Sequence, residues 1–469
     1  MKILNLRNNA FQRIEPSIAK ELPGLVKLDL SGNKISVIEK NSFVGLTLLE
    51  ELSLDNNQIS EIHDGEFNGL KNLKTLNLAN NKLAKITKNT FNGLDNLEIL
   101  ILKGNNLADV DWAAFSGLKK LRTLDLGTNQ LTNIELRRLQ NLQRLYLNNN
   151  SIQSLKNVVL RDLSNLVSLS LDRNSITRIS DDDLSDLSQS GRLTSLSIVS
   201  NKISEIESRA FEHVHELSIL SLQHNELTQL TSPTANGMVP FLRPLKKLKS
   251  LYLSNNKIAK IDADSLQGLV RLKEISLDHN NIRTVDTGAF HDIHLNKLFL
   301  NGNQLYYLPK GLFDEWNKND IYAIDLSDNV WECVCSGGEE WLANWLHSVG
   351  EANTPQGKLG CLIEQCVPST TDHPPWIIAI AIAFSTISVV CIIVIAFLLL
   401  QEGKRPRLPS FMNHIQRVPS DREKLISDHL AFPNPVTSIP DQVMPTRASI
   451  KLAGSSNNGT RKKVHFDDS

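Results

Sequence analysis

Leucine and isoleucine recur with a fixed spacing through residues 1–330. The string Leu-x-Leu-x-x-Asn, in which isoleucine sometimes replaces leucine, occurs in fourteen copies, and eight of the thirteen intervals between copies are 24 residues long. Its asparagines are Asn9, Asn33, Asn57, Asn81, Asn105, Asn129, Asn150, Asn174, Asn201, Asn225, Asn256, Asn280, Asn303 and Asn329. One copy is too short to bury its apolar face alone, so the pattern predicts coils that stack into one array.

Each part of the copy around Asn33 has a physical role. Leu28 and Leu30 alternate with polar residues, as a short strand does when one of its faces is buried. Asn33 follows where the strand ends, and a buried amide there can satisfy backbone groups that the coil leaves unpaired. We therefore expect one curved parallel sheet and a ladder of stacked amides.

A second apolar column is predicted on the opposite, convex side. Ten residues after the asparagine, seven copies carry phenylalanine: Phe43, Phe67, Phe91, Phe115, Phe211, Phe290 and Phe313. The long interval before Asn256 contains residues 231–240, which predict a protruding convex loop because insertions in repeat proteins map to loops. The period is typical of leucine-rich repeats, so residues 1–330 are predicted to form an α/β leucine-rich-repeat solenoid with short helical or irregular convex segments.

An uncharged run near the C-terminus predicts a membrane span. Residues 377–400 are 24 residues without a charge, more than the roughly 20 that cross a bilayer as a helix. Trp376 precedes the run and a basic segment beginning at Lys404 follows it, so the positive-inside rule places the C-terminus in the cytosol. Residues 367–376 are then a stalk, and residues 401–469, poor in apolar side chains, a disordered cytoplasmic tail.

Four clustered cysteines follow the last copy, at Cys333, Cys335, Cys361 and Cys366. A solenoid end would otherwise expose its core, so residues 331–366 are expected to form a disulfide-stapled cap on the oxidising side of the membrane. Four cysteines allow three connectivities, and the residues alone leave the pairing open. A zinc site is the alternative, which the cysteine spacing and the predicted membrane span disfavour.

The start of the chain does not fit this topology. The sequence begins at Met1 within a copy, without a charged-then-apolar signal peptide and without a cysteine-rich N-terminal cap. A large N-terminal domain needs a signal to cross a membrane. We therefore expect the missing cap to reflect an incomplete gene model, a processed form or a shorter isoform.

Residues 1–366 resemble the ectodomain of animal leucine-rich-repeat single-pass membrane proteins, the group that includes neuronal adhesion molecules and Toll-like receptors. The resemblance implies a type I plasma-membrane receptor or adhesion protein that binds an extracellular protein and signals through cytosolic proteins recruited by its tail. It also implies disulfides joining Cys333 to Cys361 and Cys335 to Cys366. The alternative function is a structural organiser of extracellular matrix or membrane domains with a dispensable tail.

Candidate ligand-binding residues follow from the outward strand positions, which line the concave face where partners bind in that group. Most of these positions are small or polar, whereas clustered apolar and aromatic side chains mark contact surfaces. The candidates are Ile99, Ile101, Arg144, Tyr146, Tyr252, His279, Lys297 and Phe299.

Three further short motifs suggest modification or assembly. The ectodomain contains one glycosylation sequon, which begins at Asn149. In the tail, Lys463, Val464 and Phe466 resemble the basic-Val-x-Phe docking peptide of protein phosphatase 1 partners, with a simple basic end as the alternative. A small-x-x-x-small step beginning at Ala379 in the predicted span raises the hypothesis of a homodimer.

Charge and motifs exclude other classes of function. The chain has 50 Lys+Arg and 51 Asp+Glu, so its net charge of −1 disfavours nucleic-acid or other polyanion binding as the main function. His291-x-x-His294 lacks the acidic general base of a metalloprotease, and neither a phosphate-binding glycine loop nor a Gly-x-Ser-x-Gly elbow occurs. We therefore expect no enzyme activity, no cofactor and no metal.

Overall fold

A computed structural model describes residues 1–331 and 340–349 of the chain. Its main element is a 14-stranded sheet in which every strand pairs in parallel only with the strands of the preceding and following coils. The strands are Ile3–Asn5, Lys27–Asp29, Glu51–Ser53, Thr75–Asn77, Ile99–Ile101, Thr123–Asp125, Arg144–Tyr146, Ser168–Ser170, Ser195–Ser197, Ile219–Ser221, Ser250–Tyr252, Glu274–Ser276, Lys297–Phe299 and Ala323–Asp325. We number the coils 1 to 14 by these strands, which confirm the predicted solenoid sheet.

The middle residue of each strand points into the core. Leu28 pairs in register with Leu4 of coil 1 and Leu52 of coil 3, and Leu28 is 2% exposed. Because side chains alternate across a strand, the first and third residues face the concave surface. The sheet therefore fixes which side chains a ligand on that surface can reach.

The asparagine ladder forms as the sequence predicts. Asn57 accepts a hydrogen bond at Oδ1 from the backbone N–H of Ile35 (2.9 Å), one coil earlier. Its Nδ2 donates to the carbonyl oxygens of Leu30 and Leu54, both at 3.0 Å. One amide thus serves backbone groups of two coils in a buried setting, which explains why a hydrophobic residue cannot replace it.

The residue before each ladder asparagine has a left-handed backbone, a feature that the period alone does not reveal. Asparagine and glycine, which tolerate this conformation, dominate the row. Its members are Asn8, Gly32, Asn56, Asn80, Gly104, Thr128, Asn149, Arg173, Ser200, His224, Asn255, His279, Gly302 and Asp328. Gly104 also lies close to the preceding coil, because a Cβ there would be 2.1 Å from Asn80 Oδ1.

Thr128 is the β-branched member of this row, with φ of +54°. β-Branched residues are strained in that region, so replacing Thr128 with asparagine should raise the free energy of unfolding by about 1 kcal/mol. Thermal unfolding of the variant measures the change. Thr177→Asn, at an exposed threonine outside the row, is the control, and equal shifts for the two variants would contradict the strain.

The convex side contains short parallel strand pairs, turns and 3₁₀ helices. The strand pairs are Arg13–Ile14 with Val37–Ile38, Lys85–Ile86 with Asp109–Val110, Ile134–Arg137 with Val158–Arg161, Arg178–Ile179 with Glu205–Ile206, and Lys260–Ile261 with Thr284–Val285. The 3₁₀ helices are Trp112–Phe115, Leu155–Asn157, Ser185–Leu187, Glu212–Val214 and Lys318–Asp320. Two α-helices occur in the described residues, α1 (Ser17–Glu21) and α2 (Glu340–Val349), so the helical part of the predicted α/β class is small.

All seven predicted phenylalanines lie in the buried convex column. Neighbouring rings pack against each other, with centroids 6.2 Å apart for the stacked pair Phe43 and Phe67 and 5.6 Å apart for the tilted pair Phe91 and Phe115. Phe241 belongs to the column as well, 6.3 Å from Phe211, but the insertion before it shifts its spacing. The predicted loop at 231–240 is an ordered antiparallel hairpin of strands Thr231–Thr234 and Gly237–Pro240.

An aromatic cluster joins the last coils to α2. Phe313 is fully buried, and its ring centroid lies 4.7 Å from that of Trp316, 4.6 Å from Trp345 and 6.1 Å from Trp341. The first described element after the solenoid thus covers its apolar end, as a cap must.

Several predictions fall on residues that the structure does not describe. The four cysteines Cys333, Cys335, Cys361 and Cys366, the stalk, the 377–400 run and the 401–469 tail all lie outside the described residues. Within residues 1–331 and 340–349, none of the helices combines the length and the hydrophobicity that crossing a bilayer requires.

Candidate concave binding site

The candidate ligand-binding residues form two clusters on the concave face. The N-terminal concave cluster contains Ile99, Ile101, Arg144 and Tyr146, on coils 5 and 7. Coil 6 lies between them, where Asp125 is paired in register with both Ile101 and Tyr146. Neighbouring parallel strands are about 4.8 Å apart, so these side chains form one continuous patch.

The N-terminal concave cluster is less exposed than the sequence pattern predicts. Ile101 is 8% exposed and Tyr146 is 7% exposed, while Ile99 is half-buried and Arg144 is exposed. The burial of its side chain raises the pKa of Tyr146. Arg144 Nε donates a hydrogen bond to Thr123 Oγ1 (3.2 Å), which lays the guanidinium along the patch.

The C-terminal concave cluster contains Tyr252, Lys297 and Phe299, with His279 at its rim. Tyr252 and Phe299 flank Ser276 in the same register, and both rings are half-buried. Burial, with a smaller contribution from the Glu274 carboxylate, raises the pKa of Tyr252 to about 12. The tyrosine is therefore a neutral phenol at physiological pH.

Two charged contacts border this cluster. Lys297 Nζ lies 3.6 Å from Glu274 Oε1, and both side chains are largely buried. His279 belongs to the left-handed row rather than to a strand, and its side chain is 58% exposed with Nδ1 3.0 Å from Asp278 Oδ2. The cluster thus combines aromatic surface with a compensated ion pair, the composition of a protein-contact surface.

A buried serine–aspartate network separates the two clusters, and the sequence reading missed it. Asp172 accepts hydrogen bonds from Ser170 Oγ (3.0 Å), Ser197 Oγ (2.6 Å) and the N–H of Val199 (2.8 Å). Burial raises the pKa of Asp172, and these hydrogen bonds partly offset the rise. The signal in the sequence is serine two residues before aspartate, as in Ser170-Leu-Asp172.

Other concave carboxylates cap the ends of their own strands. Asp29 Oδ1 accepts from the N–H of Ser31 (2.9 Å), Asp125 Oδ1 from Gly127 (2.9 Å), and Asp325 Oδ1 from Ser327 (3.0 Å). These are local Asx turns, which stabilise the bend after the strand. Most polar side chains of the concave row are thus engaged in hydrogen bonds within the protein, with the buried hydroxyl of Ser221 as an exception among the described residues.

The histidines of the His291-x-x-His294 motif are exposed. His291 Nδ1 lies 2.9 Å from Glu315 Oε1, and this contact raises the pKa of His291. Of the described residues, His291, Asp292 and Glu315 are the group spaced closely enough to hold a metal ion. Both nitrogens of the His291 ring face carboxylates, at 2.9 Å from Glu315 and 3.7 Å from Asp292, so ion pairing accounts for the group.

Glu66 is a buried carboxyl on the convex side, 5% exposed, whose Oε2 has no hydrogen-bond partner in the described residues. Burial raises the pKa of Glu66, so the folded chain holds this proton to higher pH than the unfolded chain. Stability is then lost as the pH rises from about 4.5 through the raised pKa. We expect Glu66→Gln to gain stability relative to the parent between pH 4 and 8.

The control for this effect is Glu15→Gln, because the Glu15 side chain is exposed and lies in another coil. Its stability difference from the parent should stay constant over the same pH range. Urea unfolding at each pH gives both curves. Parallel curves for the two variants would show that burial does not perturb Glu66.

Asn149 of the glycosylation sequon is exposed and belongs to the left-handed row, with φ of +55°. Its backbone N–H donates to the carbonyl of Asp172 (2.7 Å), so its side chain lies beside the concave rim of coil 7. The tail residues Lys463, Val464 and Phe466 lie outside the described part of the chain.

The repeat pattern of the chain matches that of a known protein family. The model of the family described as Leucine rich repeat matches residues 1–59, 47–107, 95–150, 140–190, 191–239 and 246–305. The chain belongs to this family.

Individual relatives match shorter segments. P-granule-associated novel protein 1 of Caenorhabditis elegans is 38% identical over 169 residues, 36% of this chain and 28% of that protein. Leucine-rich repeats and immunoglobulin-like domains protein 1 of Homo sapiens is 32% identical over 136 residues, 29% of this chain and 12% of its own length. The matches thus span less than a third of either relative.

Solved structures share the fold. The Toll–Spatzle complex of Drosophila, in its glycosylated form, matches 72% of this chain and 45% of that chain with a TM-score of 0.58 and 24% identity. The leucine-rich repeat domain of APL1B matches 76% of this chain and 86% of that chain with a TM-score of 0.53 and 22% identity. At these identities the likeness concerns the solenoid itself.

Proposed function

We propose that this protein is a cell-surface receptor or adhesion protein of type I topology that binds an extracellular protein through its concave face. Family and fold support a general role in protein interaction. The more specific claim rests on the concave surface, where aromatic and aliphatic side chains gather in two clusters while neighbouring carboxylates are engaged in local hydrogen bonds. Toll, which shares the solenoid, is seen in complex with Spatzle.

The C-terminal concave cluster is the better candidate for the main contact. Tyr252 and Phe299 are half-buried, so each offers ring surface to a partner, whereas Ile101 and Tyr146 offer little. Aromatic rings held in place by their neighbours lose little entropy on binding, which makes them typical hot spots. The N-terminal concave cluster would extend the contact through Ile99 and Arg144.

The membrane topology comes from residues outside the described part of the chain. The uncharged run at 377–400 and the basic segment after it support a single span with a cytosolic tail. Disulfides between Cys333 and Cys361 and between Cys335 and Cys366 would close the cap over residues 331–366, which includes α2. In the tail, the segment ending at Phe466 would recruit protein phosphatase 1, and the step beginning at Ala379 would favour a homodimer.

Glycosylation of Asn149 is part of the same proposal. The exposed amide is accessible to the transferase, and a glycan there would cover the rim next to Asp172. A glycan at this place would direct the ligand toward the C-terminal concave cluster, away from coil 7. A mobility shift on glycosidase treatment that Asn149→Gln abolishes would support the site.

Proximity labelling on intact cells tests the binding claim. The full chain, with a labelling enzyme at its N-terminus, should mark a partner protein. The double variant Tyr252→Ala/Phe299→Ala should weaken binding of this partner about 30-fold or more, since the two hot-spot rings together contribute at least about 2 kcal/mol. Val44→Ala/Leu48→Ala is the control, because both side chains are exposed outside the concave strands. A partner retained by the concave variant would overturn the proposal.

The alternative function, a structural organiser of matrix or membrane domains, makes a different prediction about the tail. Deleting residues 408–469 should leave such a role intact, whereas a receptor that signals through recruited proteins loses its output. The deletion keeps the basic segment that begins at Lys404 and hence the predicted topology.

A further inference from the structure

Five exposed cations lie together at one edge of the concave sheet, where the chain enters the strands of coils 11 and 12. This basic edge consists of Lys246, Lys247, Lys249, Arg271 and Lys273. The backbone N–H of Lys273 donates to the carbonyl of Lys249 (2.8 Å), so these two lysines are direct neighbours on adjacent coils.

Lys249 and Lys273 each stand immediately before a strand of the sheet, and in the N-terminal coils the residues at this position carry alternating charges. There Glu50, Lys74, Glu98 and Arg122 alternate in sign, with Lys74 Nζ 2.9 Å from Glu50 Oε2 and Arg122 Nε 3.2 Å from Glu98 Oε2. Like charges on adjacent strands repel each other, whereas alternating charges attract. The solenoid thus accommodates a compensated column, and coils 11 and 12 depart from it.

A second column, formed by the residues three positions before each strand, also changes from polar to cationic in coils 11 and 12. Asn72, Asn96 and Asn165 donate side-chain hydrogen bonds to backbone carbonyls of the preceding coil, at 2.7 to 2.8 Å. In coils 11 and 12 the corresponding residues are Lys247 and Arg271, which bring a positive charge to this column. Coil 6 also has cations in both columns, but there Lys120 Nζ donates to Asn96 Oδ1 (2.6 Å) and Arg122 pairs with Glu98. Coils 11 and 12 are two successive coils with cations in both columns.

Little within the protein neutralises this charge. Lys247 Nζ donates to both carboxylate oxygens of Glu216, at 2.7 and 2.6 Å, and Lys273 Nζ donates to the carbonyl of His294 at 3.1 Å. Among the described residues, Lys246, Lys249 and Arg271 form no ion pair or side-chain hydrogen bond. The basic edge thus has one carboxylate for five cations.

We propose that the basic edge binds a linear sulfated polysaccharide. Coils repeat about every 4.8 Å, so cations in two columns of adjacent coils present a regular array to a chain of sulfate groups. Clustered Lys and Arg of this density are typical of heparin-binding patches. The proposal rests on the extracellular placement given under the proposed function, because such polysaccharides are found there.

Two other polyanions fit the surface less well. Single-stranded nucleic acid is held by aromatic rings on which bases stack, and none of the five residues is aromatic. A lipid surface is held by apolar side chains inserted beside the charges, and the segments 246–249 and 271–273 border one exposed apolar residue, Val270. Single-stranded DNA and lipid vesicles are therefore compared with heparin in the binding test.

Binding of the purified full chain to immobilised heparin tests the proposal. Lys249→Ala/Lys273→Ala should weaken binding about tenfold or more, and the slope of log affinity against log salt should fall by about two, one for each contact removed. Lys74→Ala/Arg122→Ala is the matched control, since it removes two cations at equivalent positions whose charges glutamates compensate. The control should bind as the parent does.

Three other ligands and a comparison of the two double variants distinguish the proposed site from its alternatives. Desulfated heparin, phosphatidylserine vesicles and single-stranded DNA should bind at least tenfold more weakly than heparin, and tighter binding to vesicles or DNA would replace the polysaccharide with that ligand. Loss of heparin affinity in both double variants would show general charge attraction and overturn the site. The thermal midpoint of Lys249→Ala/Lys273→Ala should stay close to that of the parent, because relief of repulsion offsets the lost hydrogen bond from Lys273 to the His294 carbonyl, and this separates lost binding from lost folding.

Failure of this proposal and failure of the proposed function are distinguishable. Heparin binding by the purified chain is independent of its protein partner and of Tyr252 and Phe299. A chain that binds a protein through the concave face but not heparin would refute the basic edge alone.

Discussion

Replacing Asn280 with alanine is expected to lower the free energy of unfolding by about 3–5 kcal/mol. Asn280 Oδ1 accepts from the N–H of Ile258 (3.0 Å), and Nδ2 donates to the carbonyls of Leu253 and Leu277, both at 3.0 Å. Alanine leaves these backbone groups buried without partners, at about 1–3 kcal/mol for each group. Urea unfolding followed by circular dichroism measures the loss.

The control is the neighbouring residue, Asn281→Ala, because the side chain of Asn281 is exposed. A surface change of this kind should stay within about 0.5 kcal/mol. Hydrogen exchange adds a local readout, since the amide of Ile258 should lose protection in Asn280→Ala. Similar unfolding curves for the two variants would contradict the structural role of the ladder.

Replacing Phe313 with alanine is expected to cost about 3–5 kcal/mol and to release α2 from the last coil. Phe313 is fully buried and contacts Trp316, Trp341 and Trp345, so the smaller side chain leaves a cavity between solenoid and helix. Thermal unfolding measures the stability. Tryptophan fluorescence, shifted to the red as Trp341 and Trp345 become solvated, reports the release of the helix.

Tyr322→Ala is the matched control, because it removes an aromatic ring that is 67% exposed in the last coil. Neither its thermal midpoint nor its fluorescence maximum should change appreciably. If Phe313→Ala retained the parent fluorescence, the aromatic cluster would not be what attaches α2.

The strands, the amide ladder and the convex phenylalanine column follow from the sequence, because each depends on one residue type recurring at one spacing. Leu28 and Asn33 carry that information locally. The extent of burial of the concave side chains does not follow from the sequence, because Ile101 and Tyr146 occupy outward positions and are nevertheless buried. The side chains on adjacent coils decide this burial, and the period of one copy does not contain them.

Two further features can be recognised only when the pairing register between adjacent coils is known. Asp172 lies 25 residues before Ser197 in the chain, yet its Oδ1 accepts a hydrogen bond from Ser197 Oγ (2.6 Å) because coils 8 and 9 are adjacent. The basic edge is hidden by a net charge of −1 for the whole chain and becomes visible only when Lys249 and Lys273 are placed side by side. Sequence reading disfavoured polyanion binding from the total, which averages over unlike surfaces.

Site-specific photo-crosslinking on intact cells tests the claim that the concave face binds a protein partner most directly. A photoreactive amino acid placed at position 252 or 299 of the full chain should give a covalent adduct with one partner protein. The same amino acid at position 44, an exposed site next to the convex column, should give none. Adduct formation at position 44 but not at 252 or 299 would contradict the account, as would the absence of any adduct at the concave positions.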